Sequence, residues 1–147
     1  MPSLSASTYR QVVRASALYD IVLTAPFATP WTFALLHAQL SAINVHLGGA
    51  PLPAFAPFHV LIACLFGSIV LVWSALRLSD PQPRLGRFDG AARLLFSTWM
   101  AWALITTGEP LLWLFVVPEF AWGIVQWLPV RRVAASPGNA ALAATLA

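Results

Sequence analysis

Apolar residues fall in four long runs along the chain, at residues 9–26, 57–78, 89–107 and 110–129. Each reaches the roughly 17 residues that a helix needs to cross the hydrocarbon core of a bilayer. A fifth segment, residues 30–47, has a different pattern. Leu36, Leu40, Ile43 and Leu47 recur at helical spacing beside a polar stripe of His37, Ser41 and Asn44. A helix with one oily and one polar face is expected to lie along a membrane surface and not to cross it.

Prolines and glycines mark the boundaries. Thr29 before Pro30 has the form of an N-cap followed by proline at the first helical position, after the break at Pro26. Gly48-Gly49-Ala50-Pro51-Leu52-Pro53 predicts a loop, and Pro57 opens the second run. Residues 79–88 read as a polar loop, with Asp89 as N-cap of the third run and Gly108 as its end. Glu109-Pro110 starts the fourth run at once, and Pro129 with Arg131 and Arg132 stops it. Residues 133–147 form a small-residue tail beyond a single membrane domain at 1–132.

Composition turns these helices into membrane spans. Hydrophobic residues make up 59% of the 147-residue chain and charged ones 9%, far below the roughly 25% of an ordinary soluble domain. All eight basic residues are arginines: Arg10, Arg14, Arg77, Arg84, Arg87, Arg93, Arg131 and Arg132. Each falls near a run end that a both-ends-inside chain places in the cytoplasm, where positive charge accumulates. The expected fold is all-α: a four-helix transmembrane bundle with an additional outer-surface amphipathic helix and both termini cytoplasmic. The first residues lack the form of a cleavable signal, because the apolar run after them is long and carries Asp20. Arginine without lysine points to a GC-rich bacterial genome, hence to the bacterial inner membrane. The arginines read as orientation signals and not as a nucleic-acid surface.

Ionisable groups within spans are the candidates for chemistry. Glu119 follows Pro118 about ten residues from either end of the fourth run, near the midplane. It is expected to carry a proton, orient a ligand, or bond a Thr, Gln or Trp on a neighbouring helix. Asp20 is expected to pair with Arg14 or Arg93, with Tyr19 pointing to another face. His37, His46, His59 and Glu109 form a candidate polar cluster at the outer face. Three histidines and a carboxylate suit zinc or copper, but no pair has the i, i+4 spacing of a helical metal clip, so no metal is assigned. The single Cys64 reads as a small core hydrophobe. Trp73, Trp113 and Trp127 are expected at the membrane interfaces, with Trp99, Trp102 and Trp122 packed deeper. Gly67 and Ser68, with Ala91 and Ala92, would allow close helix approach. No nucleophile elbow, zinc-protease motif or glycine-rich phosphate loop is present.

The first span, the amphipathic helix, the loop Leu47-Gly48-Gly49-Ala50-Pro51-Leu52-Pro53 and a second span with Leu65-Phe66-Gly67-Ser68 together resemble the DoxX-like proteins. Those are small four-helix bacterial membrane proteins, several of them subunits of quinone-linked oxidoreductase complexes. The resemblance covers residues 17–77. It departs at Ala63-Cys64-Leu65, where members often carry a glutamate before the glycine pair. It implies an accessory subunit that partners a larger membrane protein or its own copies. Two other readings follow from Glu119: a proton-coupled carrier of small solutes, and a membrane-embedded enzyme acting on a lipid or quinone. A catalytic role has the least support, and no cofactor is assigned.

Overall fold

The computed structural model describes residues 3–131, and within them the chain is helical apart from short connections. Arg132 and the tail at 133–147 lie outside the described residues. Helix α1 runs Ala6–Thr24 from an N-cap at Ser5, whose side chain accepts the Thr8 amide at 3.0 Å. A 3-10 turn at Ala25–Ala28 follows, where Pro26 has no amide hydrogen to continue the α ladder. Helix α2, Pro30–His46, starts as its sequence predicts: Thr29 accepts the Thr32 amide at 3.2 Å, and Pro30 occupies the first turn. It leaves the axis of α1 at 108°.

Helix α3, Pro57–Ser79, agrees with the predicted span to one residue. Helix α4, Pro83–Thr107, begins six residues before Asp89, so the expected ten-residue loop shrinks to residues 80–82. The cause is twofold. Pro83 suits the first helical turn, and the carboxylate of Asp89, expected to cap a helix, is bound inside the bundle instead. Gly108 ends α4 with φ 72°, a left-handed position that favours glycine. A 3-10 turn at Pro110–Leu112 leads into α5, Trp113–Trp127, which contains Pro118 and stops before Pro129.

Two elements are long and apolar enough to cross a membrane, α3 and the stretch Pro110–Trp127; the bent pair formed by Ala6–Ala28 and Pro30–His46 adds a third if counted as one span. Helix α4 is longer, but Arg84, Arg87, Asp89 and Arg93 crowd its first three turns. It packs along α5, while α1 lies between that hairpin and α3. The distribution of polarity is inside-out. Arg77, Asn44, Gln126, Ser16 and Ser74 are fully buried, while Trp31, Phe58, Val72 and Ile105 are each more than 70% exposed. Water would not tolerate that surface, and lipid would.

The first and last described segments meet. Leu4 and Val130 form a parallel bridge, with the Leu4 amide bonding Pro129 O and the Arg131 amide bonding Leu4 O, both at 2.8 Å. Arg10, Arg14, Arg84, Arg87 and Arg131 therefore belong to one end. Helix α2 lies across the other, where Nε2 of His37 is 3.0 Å from Pro53 O and Asn44 reaches Glu109.

Several expectations change here. The polar stripe of α2 faces protein: Ser41 accepts the Leu52 amide at 3.0 Å and Asn44 is fully buried, while Trp31, Leu35, Ile43 and Val45 are exposed. Gly67 makes its close approach to the 3-10 turn, where an added Cβ would lie 2.6 Å from Phe27 Cβ. Gly86 and Gly90 give the close approaches of α4, to Tyr9 and to Trp127. Trp99 and Trp102 point outward, at 65% and 63% exposed.

Candidate functional site: a buried ion cluster

Four helices each carry polar residues into one buried layer near the arginine-rich end. Helix α1 supplies Ser16 and Asp20, four apart and so on one helical face. Helix α3 supplies Trp73, Ser74 and Arg77; α4 supplies Asp89 and Arg93; α5 supplies Glu119 and Gln126, seven apart. Spacings of three, four and seven stack side chains along one helix face, so each helix turns a polar edge to the bundle axis.

Arg93 is the hub. Its Nη2 donates to Asp20 Oδ1 at 2.6 Å, its Nε to Asp89 Oδ2 at 3.1 Å, and its Nη1 to both oxygens of Glu119 at 2.9 Å. Its guanidinium lies 5.6 Å from the Tyr19 ring centroid and 6.0 Å from that of Trp122, within cation–π range. Arg77 is the second link. Its Nη2 donates to Asp20 Oδ2 at 2.5 Å and to Ser74 Oγ at 2.9 Å, and its Nη1 donates to Asp89 Oδ2. Asp20 thus bridges both arginines.

Asp89 takes the most donors. Besides the two arginines it accepts Trp73 Nε1 at 2.8 Å and Gln126 Nε2 at 2.7 Å, with Ser16 Oγ at 3.5 Å. Above it toward the chain ends, Tyr9 Oη donates to Gln126 O at 2.5 Å. Among the described residues, Arg77 Nε and Gln126 Oε1 are the buried side-chain atoms left without a partner. Two guanidinium groups face three carboxylates, so the fully ionised cluster sums to −1.

Several expectations are corrected at this site. Arg77 and Arg93, expected at the cytoplasmic surface, are 0% and 2% exposed and serve as internal counter-ions. Asp20 pairs with Arg93 and also with Arg77, and not with Arg14. Glu119 bonds a charged partner, Arg93, in place of the expected Thr, Gln or Trp. Tyr19 turns its ring to the cluster instead of away from it. Trp73 spends its indole N–H inward on Asp89, so it is no simple interface anchor.

The outer residues divide into two groups. His37 and His59 flank Phe55, with ring centroids 5.3 and 5.9 Å from it. Glu109 accepts the Asn44 side-chain amide at 2.5 Å and the Ala50 amide at 3.3 Å, and Asn44 Oδ1 accepts the Leu111 amide at 3.1 Å. His46 is exposed near the end of α2. Among the described residues no group of three or more His, Cys, Asp or Glu is arranged to hold a metal ion. Cys64 is half-buried and accepts the Ser68 hydroxyl on its carbonyl at 2.8 Å.

The charges of this buried layer are paired with one another. Two clefts, of about 480 and 220 Å³, are lined by other residues. The chain's similarity to known proteins adds nothing to the site: no family model matches it, and no curated protein or solved structure does so either.

Proposed function

We propose that the protein is a multi-pass bacterial inner-membrane protein that crosses four times. In this reading it is a non-catalytic accessory or scaffold subunit of a larger membrane complex, and a quinone-linked redox complex fits the DoxX-like layout. The observation that carries the reading is the closure of the ion cluster. Asp20 and Glu119, the two acids with the best claim to chemistry, are both held by Arg93 inside the bundle, and neither lines the clefts of about 480 and 220 Å³. Groups that act on a solute or ligand need a face turned towards it, and these are turned towards each other.

The proposed orientation rests on fewer arginines than the sequence offers, because Arg77 and Arg93 are internal. Arg10, Arg14, Arg84, Arg87 and Arg131 remain, all at the end where Leu4 and Val130 join, which supports both terminal segments in the cytoplasm. Helix α4 is taken as the fourth crossing because its two inner charges, Asp89 and Arg93, are paired within the bundle, while Arg84 and Arg87 lie at its first turns. Its outer side presents Leu95, Trp99, Trp102 and Ile105, an apolar and aromatic strip suited to another membrane helix.

The test is purification of the full chain from native membranes in mild detergent, with photo-crosslinking from position 95. The expected result is one stoichiometric membrane partner, or a discrete self-association, lost on Trp99→Ala/Trp102→Ala. A protein that runs alone and gives no specific crosslink overturns the reading. One observation favours a second reading, a proton-coupled carrier. The carboxylates outnumber the guanidinium groups, and Glu119 is held by a single arginine nitrogen. That reading requires Glu119→Gln to abolish solute-dependent proton uptake in vesicles while the protein stays folded.

A further inference from the structure

A cleft of about 480 Å³ opens at the arginine-rich end, between the first turns of α1 and the α3–α4 connection. Ser7, Arg10, Gln11 and Arg14 line one wall; Asp80 and Gln82 belong to the other. Arg10 and Arg14 are four apart on α1, hence on one face, and both are exposed. Neither makes an ion pair with a described residue, whereas Arg77 and Arg93 each pair with two or more buried carboxylates. The cleft holds one acid against these two arginines: Asp80 accepts Gln82 Nε2 at 2.6 Å, so the lining charge is a net +1.

A third feature has the same sign. Helix α4, 25 residues long, begins at this cleft with no side-chain cap on its N-terminal amides. Uncapped amides and the positive end of a long helix favour an anion. Two free guanidinium groups present planar forks that match the oxygens of a phosphate diester. Ser7 and Gln11 add neutral donors beside them. The cleft also sits where a cytoplasmic-leaflet headgroup would lie, if the orientation proposed above holds. Next to it, Leu18 and Val22 continue the α1 surface as exposed apolar residues, a path for acyl chains.

We propose that this cleft is a binding site for the phosphate of an anionic phospholipid, with Arg10 and Arg14 as its charged ligands. The chemistry recognised is a phosphate ester flanked by hydroxyl groups, and the lipid, not a free phosphate, is its source.

The full chain in neutral detergent micelles is titrated with phosphatidylglycerol, with phosphatidylcholine, and with soluble glycerol phosphate, following its thermal unfolding. The expected result is saturable stabilisation by phosphatidylglycerol alone. In Arg10→Gln/Arg14→Gln the apparent affinity falls on the order of 30-fold, as loss of two basic contacts at a membrane surface implies. Arg84→Gln/Arg131→Gln removes the same charge outside the cleft and is expected to bind as the native chain does. Arg10→Lys/Arg14→Lys keeps the charge and should retain the preference for phosphatidylglycerol, which guards against a folding defect in the glutamine variant. Equal stabilisation by both lipids overturns the site, as does equal loss in the two glutamine variants. Saturation by glycerol phosphate as effective as by lipid overturns the lipid assignment.

Discussion

Removing Arg93 is the sharpest way to test what the buried cluster does. Arg93→Met keeps much of the side-chain volume and deletes the guanidinium. The change strips Asp20 of one of its two arginines, Asp89 of one of its donors, and Glu119 of its one charged partner. Three carboxylates then face Arg77 alone, so the formal sum goes from −1 to −2 in a layer where Glu119 and Asp20 are each 8% exposed. Breaking a buried ion pair on one side costs about 3–5 kcal/mol, because the partner charge stays buried. An ordinary interhelical hydrogen bond in a membrane contributes only about 0.6 kcal/mol. The two cases are separable by reversible unfolding in mixed micelles. The companion variant is Arg93→Met/Glu119→Gln, which restores the formal sum to −1. It should recover part of the loss, with a coupling energy of about 0.5–3 kcal/mol. A loss below about 1 kcal/mol in the single variant, or strict additivity in the double, would refute the cluster as an ionic unit.

Other outcomes follow from the same geometry. Asp89→Ala, which removes an acceptor from two arginines, Trp73 and Gln126, should cost more stability than Glu119→Ala, which frees one arginine nitrogen; a reversed order in the same unfolding assay counts against the bond assignments. Gly67→Ala places a methyl 2.6 Å from Phe27 Cβ and 2.9 Å from its carbonyl carbon, so a loss of about 1–3 kcal/mol is expected, and a neutral melting temperature would show the α1 break is not seated there. Asn44→Leu removes the partner of Glu109 and of the Leu111 amide, with an expected cost of about 1–3 kcal/mol and faster hydrogen exchange at Leu111; unchanged exchange there would deny the link across the far end.

Much of the fold is legible in the chain because prolines and glycines mark it. Thr29-Pro30, Pro57, Gly108 and Pro129 each set a helix end within a residue or two of the place their local chemistry predicts. The start of α4 was not legible. Asp89 has the chemistry of an N-cap and of a buried counter-ion, and nothing local distinguishes them. Arg77 and Arg93 posed the same problem: positive charge near a span end reads as a cytoplasmic marker whether it faces water or a carboxylate. A usable signal was nevertheless present in the spacing. Ser16 with Asp20, Trp73 with Arg77, Asp89 with Arg93, and Glu119 with Gln126 each repeat at four or seven residues on a separate helix. Single acids invite a search for chemistry, whereas polar edges on four helices at the same depth announce a shared layer.

In the four-crossing reading proposed above, that layer accounts for the presence of charged residues in α1 and α4, neither of which passes alone as a span. In lipid there is little hydrophobic drive between helices, so apolar faces do not choose their neighbours. A lone Asp or Arg at a helix centre costs about 2.5–3.5 kcal/mol on the insertion scale. Helix α1 carries Asp20 and α4 carries Asp89 and Arg93; α3 brings Arg77 and α5 brings Glu119. Each cost is offset only when these partners meet in one register, since a shift of α4 by a single turn separates Arg93 from Asp20 and Glu119, and Asp89 from Arg77. Leu, Val and Ile elsewhere on the same helices could exchange neighbours at little cost. The five charges therefore do for this chain what a hydrophobic core does for a soluble one: they decide which helices meet, and at what depth.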